Sequence, residues 1–465
     1  MNKSIAVLIA ATFAVGAMAQ NGGISQTMLN DIRKGYQGTP AEKALRNAIS
    51  SNDIRTLAVN RENKANFDSY FSNRVLSKGI TDQQSSGRCW LFTGLNVMRS
   101  KMIARYNLPS LEFSQNYNFF WDQLEKANLF LQGIIDTADK PVDDKMVQFL
   151  FKSPVSDGGQ FTGVMDLVTK YGLVPKEAMP ETYNSDNTTR ISSFVKLKLR
   201  EYGMELRGMV QQKSKASDLN ARKTEMLATV YRMLVYAFGE PVTTFEWAPR
   251  DADGKYVSEP KTYTPQSFYQ EFIGDDLQNN YVMLMNDPSR PFWKVYEIDY
   301  DRHTYDGHNW LYVNLPIDDI KQMAIESIKD STMMYFSCDV NKFLDKERGL
   351  LDVNNFDYES LFGTTFGMDK KARIETFASG STHAMTLMAV DLDAAGKPKK
   401  WMVENSWGAQ YGHRGHLIMT DEWFNEFMFR LAVNKKYVSE KVLTLLRKEK
   451  PILLPAWDPM FAEEE

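Results

Sequence analysis

TDQQSSGRCWLF, residues 81–92, contains one of the two cysteines in this chain. Small polar residues precede Cys89, and an apolar run follows it. That run has apolar residues at helical spacing, namely Leu91, Leu95, Met98 and Met102. The spacing predicts a buried helix with Cys89 in its first turn, after a turn and cap formed by residues 85–87. A reactive thiolate favours this position, at a helix N-terminus in polar surroundings, whereas a structural cysteine usually lies inside an apolar segment.

A thiolate nucleophile needs a base and a group that orients the base. Of the five histidines, only His383 opens an apolar strand, in the sequence STHAMTLMAV. The next predicted strand ends in ENSWG, which contains Asn405 and Trp407. Two adjacent antiparallel strands would bring Asn405 beside His383, where its side-chain oxygen would fix the ring tautomer. Trp407 would then cover that hydrogen bond and keep water away from it.

An oxyanion formed at the same centre needs hydrogen-bond donors. Gln83 lies shortly before Cys89, and its side-chain amide can reach back over the turn. Together with the main-chain N–H of Cys89 it would form a two-donor oxyanion hole, which typically contributes about 3 kcal/mol. Each residue alone also has an ordinary structural explanation, so the combination of Gln, Cys, His and Asn in this order carries the prediction.

The chain resembles the papain superfamily of cysteine peptidases and, more narrowly, the bleomycin hydrolase and aminopeptidase C family. The resemblance rests on the motifs QQSSGRCWLF, DGGQ, STHAM and VENSWG. It extends to longer stretches, namely LEFSQNYNFFWDQLEKANLFL, YGLVPKEAMPETY, MTDEWFNEF and ILLPAWDPM. Together these similarities cover residues 60–465.

The resemblance implies a role for each residue of the motif set. Cys89 would be the nucleophile and His383 the general acid and base. Asn405 would orient His383, and Gln83 would complete the oxyanion hole. The substrates would be peptides, cleaved through a thioester acyl-enzyme with no cofactor and no metal.

The resemblance also implies an α+β fold, the papain-like two-lobe fold. A helical lobe would carry Cys89, and an antiparallel β-barrel lobe would carry His383 and Asn405, with the cleft between them. Gly158 and Gly159 would bind the substrate backbone through their own main chain. Glycine suits that task because a Cβ would block a close approach.

The range 184–300 exceeds what a minimal papain-like domain needs and is predicted to be a mostly helical insertion. In this family such additions mediate assembly into a hexameric barrel whose active sites face an inner cavity. A homo-oligomer, a hexamer by resemblance, is therefore expected. A bulky surface insertion in a monomer is the alternative.

The range 451–465 is expected to be a C-terminal arm that lies in the cleft. In this family the terminal carboxylate of the arm pairs with the free α-amino group of the substrate, which makes the enzyme an aminopeptidase. Glu465 would then bind substrate. The tail departs from the family in ending with Glu463, Glu464 and Glu465, whose charges favour an ammonium group. A solvated acidic tail without a role is the alternative.

The composition is that of an ordinary globular protein, with 465 residues, 43% hydrophobic residues and a formal net charge of −4. This charge and the absence of a long basic stretch argue against nucleic acid as a partner.

Two cysteines exclude a disulfide framework and every cysteine-based zinc pattern. Cys338 lies in an apolar strand and is expected to be a structural thiol. His303 and His308 have no obvious carboxylate cluster that would favour a metal site.

The first residues are typical of a secretory signal peptide. Lys3 supplies a positive charge, residues 5–15 are apolar, and Ala-Met-Ala precedes a cleavage site after Ala19. The alternative is a short membrane anchor. We expect residues 1–19 to be removed, and residues 20–465 to be an exported, periplasmic or secreted peptidase with no membrane contact.

The sequence therefore predicts an exported cysteine aminopeptidase. Three alternatives stay open at this point. One is another acyl-transfer enzyme, such as a transglutaminase. A second is an endopeptidase, if the arm does not occupy the cleft. A third is a non-catalytic scaffold of the same fold.

Overall fold

The computed structural model describes residues 22–65 and 68–460, except for the side chains of residues 64 and 65. The predicted signal peptide and Glu465 lie outside the described residues. The chain divides into two compact units, residues 1–59 and 60–465. In its described part the first unit holds the helices α1 (Gln26–Lys34), α2 (Pro40–Ser51) and α3 (Ile54–Leu57). Each begins at a side chain that caps its first turn, namely Ser25, Thr39 and Asp53.

The second unit opens with a short strand and a set of helices. The strand is β1 (Asn73–Arg74). The helices are α4 (Cys89–Tyr106), α5 (Gln115–Asp136), α6 (Lys145–Lys152), α7 (Phe161–Tyr171), α8 (Tyr183–Asp186), α9 (Thr189–Gln211) and α10 (Ala216–Phe238). A small hairpin and two short helices follow, namely β2 (Phe245–Trp247), β3 (Lys261–Tyr263), α11 (Pro265–Phe272) and α12 (Leu277–Asn280). The helix predicted after Cys89 is confirmed.

Strands dominate the rest of the second unit. They are β4 (Tyr281–Met285), β5 (Lys294–Ile298), β6 (Trp310–Asn314), β7 (Met334–Cys338), β8 (Leu344–Asp345), β9 (Leu350–Leu351), β10 (His383–Leu392), β11 (Pro398–Glu404), β12 (His416–Thr420), β13 (Met428–Asn434) and β14 (Ile452–Leu454). The helices between them are α13 (Ile317–Lys329), α14 (Tyr358–Phe362), α15 (Lys370–Glu375), α16 (Asp421–Phe427) and α17 (Glu440–Lys448). The segregation of helices and strands is that of an α+β fold.

These strands form one large, mostly antiparallel sheet in the described residues. Its order is β14-β5-β6-β4-β13-β7-β10-β11-β12-β9-β8, and β1 also pairs with β10. Alternate residues of a strand face opposite sides of a sheet. Met283 and Met285 accordingly lie in a core shared with α4 and α5, whereas Val282 and Leu284 lie in a core shared with α13. The sheet thus separates two apolar cores, and β10 runs through its middle.

The range 184–300 differs from the prediction at its end. It is mostly helical as far as Asn280, but β4 and β5 then join the large sheet. The sequence of β4, YVMLM, is fully buried. A short apolar run of this kind fits a buried strand and a buried helix turn equally well, so periodicity alone does not distinguish them. Among the described residues, no helix combines the length and apolar character needed to cross a bilayer.

Candidate active site

Cys89 begins helix α4 and is completely buried. The residue at the cap position is Arg88, and it makes no side-chain capping hydrogen bond, so the cap expected from residues 85–87 is wrong. The Arg88 guanidinium instead donates to Glu181 at 2.8 Å and lies 5.2 Å from the Phe92 ring centre. This buried ion pair fixes the turn that presents the thiol. The Sγ atom of Cys89 lies 3.5 Å from the main-chain nitrogen of Ala384, which joins α4 to β10.

His383 and Asn405 are brought together by the pairing of β10 with β11. The two strands are antiparallel, with Thr386 opposite Glu404, so the residue after β11 lies beside the start of β10. The Nε2 atom of His383 lies 2.8 Å from Oδ1 of Asn405. The same Oδ1 accepts the main-chain N–H of Ser406 at 2.8 Å, which fixes the orientation of the amide. Nε2 of His383 must therefore carry the proton, and Nδ1 is the basic atom of the neutral ring.

Trp407 covers this pair as the sequence predicts. Its ring centre lies 4.8 Å from that of His383, and His383 is only 2% exposed. Burial lowers the pKa of His383 to about 4, although the hydrogen bond to Asn405 opposes this effect. In the absence of a neighbouring thiolate the ring is therefore neutral at neutral pH, as a general base requires.

Gln83 is held between the turn before Cys89 and the residue after Asn405. Its Nε2 donates to the carbonyl oxygen of Ser86 at 2.6 Å, and its Oε1 accepts from Oγ of Ser406 at 2.7 Å. Its main-chain N–H also donates to the carbonyl oxygen of Ser406 at 2.8 Å. An amide NH₂ has two hydrogens, and the bond to Ser86 uses one of them. The structure therefore brings Gln83, Cys89, His383 and Asn405 into one site.

Gly158 and Gly159 lie in a buried loop just before α7. The preceding residue, Asp157, ties this loop to the site, because its carbonyl oxygen accepts from Nε1 of Trp90 at 2.9 Å. A Cβ added at Gly159 would lie 2.2 Å from Cε1 of His303. Packing beneath the loop thus requires a glycine at 159, and binding of the substrate backbone by Gly158 and Gly159 stays a prediction.

Three features of the site were missed by the sequence analysis. They are the Arg88 ion pair, the Ser406 hydroxyl that holds Gln83, and the buried charge cluster around His303. Cys338 is buried opposite His383 on β7, in the core that contains α13, as expected of a structural thiol. Within residues 22–65 and 68–460, no group of three or more His, Cys, Asp or Glu side chains is arranged to hold a metal ion.

Comparisons with known proteins agree with this geometry. The profile of the Peptidase C1-like family matches residues 23–461. The chain is 37% identical to aminopeptidase C of Lactobacillus delbrueckii subsp. lactis, over 94% of this chain and 98% of that protein. It is 39% identical to human bleomycin hydrolase, over 96% of this chain and 100% of that protein. The crystal structure of PepW from Lactobacillus rhamnosis HN001 superposes with a TM-score of 0.91 at 37% identity, covering 95% of this chain and 99% of that one.

Proposed function

The chain belongs to the Peptidase C1-like family, and from this premise we propose that it is a cysteine aminopeptidase that acts through Cys89, His383, Asn405 and Gln83. The single observation that carries the assignment of residues is the short hydrogen bond between His383 and Asn405 beside the thiol-bearing helix terminus. The substrates are peptides with a free N-terminus.

The geometry supports a two-step acyl transfer. Nδ1 of His383 takes the proton of the Cys89 thiol, and the thiolate attacks the carbonyl carbon of the first peptide bond. The N–H of Cys89, in the first turn where a helix supplies no acceptor, and the amide of Gln83 donate to the oxyanion. His383 then protonates the leaving amine, and a thioester remains on Cys89.

The second step reverses these roles. Nδ1 of His383 takes a proton from water, and the hydroxide attacks the thioester carbon. The thiolate of Cys89 then leaves, and the N-terminal amino acid is released with a free carboxylate. Asn405 keeps the ring aligned throughout, because Nε2–H stays bonded to its Oδ1.

The anchoring of residues 455–460 supports the proposal that the acidic tail selects a free N-terminus. Arg290 pairs with Asp458, and Arg430 donates to the carbonyl oxygen of Met460 at 2.8 Å. Arg430 lies on β13, opposite Ser337 of β7, and β7 in turn pairs with β10. The backbone of Arg430 thus lies two strands from β10, or about 10 Å at the usual strand spacing, and its side chain holds Met460.

Five further residues extend by up to about 17 Å, so a segment from Met460 can reach the start of β10. We place Glu465 opposite the α-amino group of the substrate, with Glu463 and Glu464 adding to the negative charge. A carboxylate there attracts the ammonium group of a free N-terminus and obstructs a peptide that extends further.

Assembly as a homo-hexamer is a further part of the proposal. Large apolar side chains are exposed on the outer faces of α9 and α10, namely Phe194, Leu197, Met204 and Tyr236. An apolar surface of this kind is usually covered in an assembly.

Export is the last part of the proposal, and it rests on the sequence pattern given above. Residues 1–19 are removed as a signal peptide, and the protein is exported to the periplasm or the medium.

Thiol labelling combined with hydrolysis tests the assignment of the nucleophile. One equivalent of iodoacetamide is added to the reduced protein, the modified cysteine is identified by mass spectrometry, and cleavage of an aminoacyl fluorogenic amide is followed. We expect the label on Cys89 and complete loss of cleavage. Cys338→Ala is the matched control. Before labelling it should cleave the substrate, and iodoacetamide should still modify its Cys89 and abolish that cleavage. Cleavage that survives in Cys89→Ala would overturn the assignment.

A further inference from the structure

A cluster of buried charges lies beneath the Gly158–Gly159 loop, and the proposed mechanism does not use it. At its centre is His303, which is 2% exposed and lies in the loop between β5 and β6. The groups around His303 are Asp122 and Lys126 on α5, Gln160 before α7, and Asp301 in the same loop. All are buried.

The hydrogen bonds of Gln160 fix the direction of its amide. Its Nε2 lies 2.6 Å from Oδ1 of Asp301 and 3.1 Å from the main-chain carbonyl oxygen of Asp301. A main-chain carbonyl can only accept, so the NH₂ group of Gln160 must face Asp301. The amide oxygen of Gln160 must then face His303, whose Nε2 lies 2.7 Å away.

The other ring nitrogen of His303 also faces an acceptor. Its Nδ1 lies 2.5 Å from Oδ1 of Asp122. Burial of Asp122 favours the neutral acid, but the charge of Lys126, 3.2 Å away, is the largest opposing effect, and the pKa of Asp122 is held below its ordinary value. Asp122 is therefore a carboxylate. With an acceptor at each ring nitrogen, His303 satisfies both only as the imidazolium, which carries two N–H donors.

Each element packed against His303 contributes a group around its ring. On α5, Asp122 contacts Nδ1 and Lys126 pairs with Asp122 at 3.2 Å. Helix α4 contributes Trp90 and α7 contributes Gly163. Asp301, in the same loop as His303, contacts Gln160.

The same cluster holds the loop that is predicted to bind the substrate backbone. Nζ of Lys126 donates to the carbonyl oxygen of Gly158 at 2.5 Å and to that of Ser156 at 3.1 Å. The His303 ring lies under Gly159 and meets the ring of Trp90, the residue after Cys89, at 4.6 Å between ring centres. His303 thus contacts the loop and the helix of the nucleophile at the same time.

We propose that His303, as an imidazolium, is a positioning residue that fixes the Gly158–Gly159 main chain for binding of the substrate backbone. This inference rests on the proposed function. It assigns to His303 no contact with substrate and no proton transfer. Loss of its charge would loosen the loop and weaken peptide binding, and it would leave the chemistry of Cys89 and His383 intact.

The protonation of His303 is measured first, by ¹⁵N NMR of histidine-labelled protein at about pH 7.5, where a solvated imidazole is mostly neutral. We expect both ring nitrogens of His303 to be protonated, and His303→Gln to remove that resonance. Asp122→Asn removes the carboxylate at Nδ1 while keeping its shape, and its amide NH₂ can donate to Nδ1, so His303 should convert to the neutral form. A neutral His303 in the wild-type protein would overturn the proposal, and so would an imidazolium that persists in Asp122→Asn.

The kinetics of the same variants test the positioning role. In both His303→Gln and Asp122→Asn we expect KM for a peptidyl amide to rise about 10- to 100-fold, with kcat and the iodoacetamide rate of Cys89 nearly unchanged. His308→Gln is the matched control, because that side chain is 60% exposed and bonds to Asp166 instead.

Three outcomes would count against the role. An unchanged KM in Asp122→Asn with a neutral His303 would overturn it, as would an equal fall in kcat and in the alkylation rate. If the wild-type protein hydrolyses no peptide, both the proposed function and this role are overturned. The NMR measurement would still have determined the protonation state of His303.

Discussion

Replacing Cys89 with alanine should reveal how strongly the site disfavours a charged His383. The variant keeps the ring together with Asn405 and Trp407, and it removes the thiol. Burial lowers the pKa of His383 to about 4, against an ordinary value of 6.5. As the pH falls, the unfolded chain therefore binds this proton before the folded chain does. The contribution of His383 to folding stability is thus lost as the pH falls from about 6.5 to about 4.

The size of this loss follows from the same values. At about 1.4 kcal/mol per pH unit, the free energy of unfolding should fall by about 3 kcal/mol across the window. The desolvation of a fully buried ring justifies the full amount, because solvent screening is small at 2% exposure.

Two measurements check the prediction. NMR titration of the five histidines in Cys89→Ala should show His383 titrating near pH 4, with the resonance identified by its loss in Cys89→Ala/His383→Gln. Urea unfolding gives the free energy of unfolding of both variants at neutral pH and at about pH 4. Between these two pH values this free energy should fall by about 2 to 3 kcal/mol less in the double variant than in Cys89→Ala. An equal loss in both variants, or a His383 midpoint close to that of a solvated imidazole, would refute the reasoning.

Other changes probe the oxyanion donor, the arm and the framework. Gln83→Ala should lower kcat by about 10²- to 10³-fold with little change in KM, measured by steady-state hydrolysis; an unchanged kcat would remove Gln83 from the oxyanion hole. Arg430→Met should release Met460, so that cleavage of N-acetylated peptides appears; continued rejection of these substrates would show that this anchor does not control the tail. Arg99→Met should lower the free energy of unfolding by about 3 to 5 kcal/mol in urea, because it leaves the buried carboxylate of Glu404, 2.6 Å away, without its cation; a loss below about 1 kcal/mol would contradict this.

Local pattern made much of the site predictable. The helix after Cys89 has apolar residues at helical spacing, and the strands that present His383 and Asn405 are short apolar runs; each forms as expected. The prediction that His383 and Asn405 lie side by side depended on one assumption, that two strands close in sequence pair directly. The structure confirms that pairing.

Long-range contacts account for what was missed. Asp122 and His303 lie 181 positions apart, and their hydrogen bond leaves no local pattern in either segment. The Arg88 and Glu181 pair is 93 positions apart and replaces an ordinary side-chain cap. The spacing of apolar residues indicates which face of a helix or strand is buried. It does not indicate which distant polar group will pair with a buried charge.

The most direct test of the central claim compares a free-amine aminoacyl fluorogenic amide with its N-acetylated twin under reducing conditions. Wild-type protein and Cys89→Ala are assayed side by side. Cleavage of only the free-amine substrate, and its loss in Cys89→Ala, is the predicted result. Equal cleavage of both substrates, or cleavage that persists without Cys89, would contradict the account of a cysteine aminopeptidase.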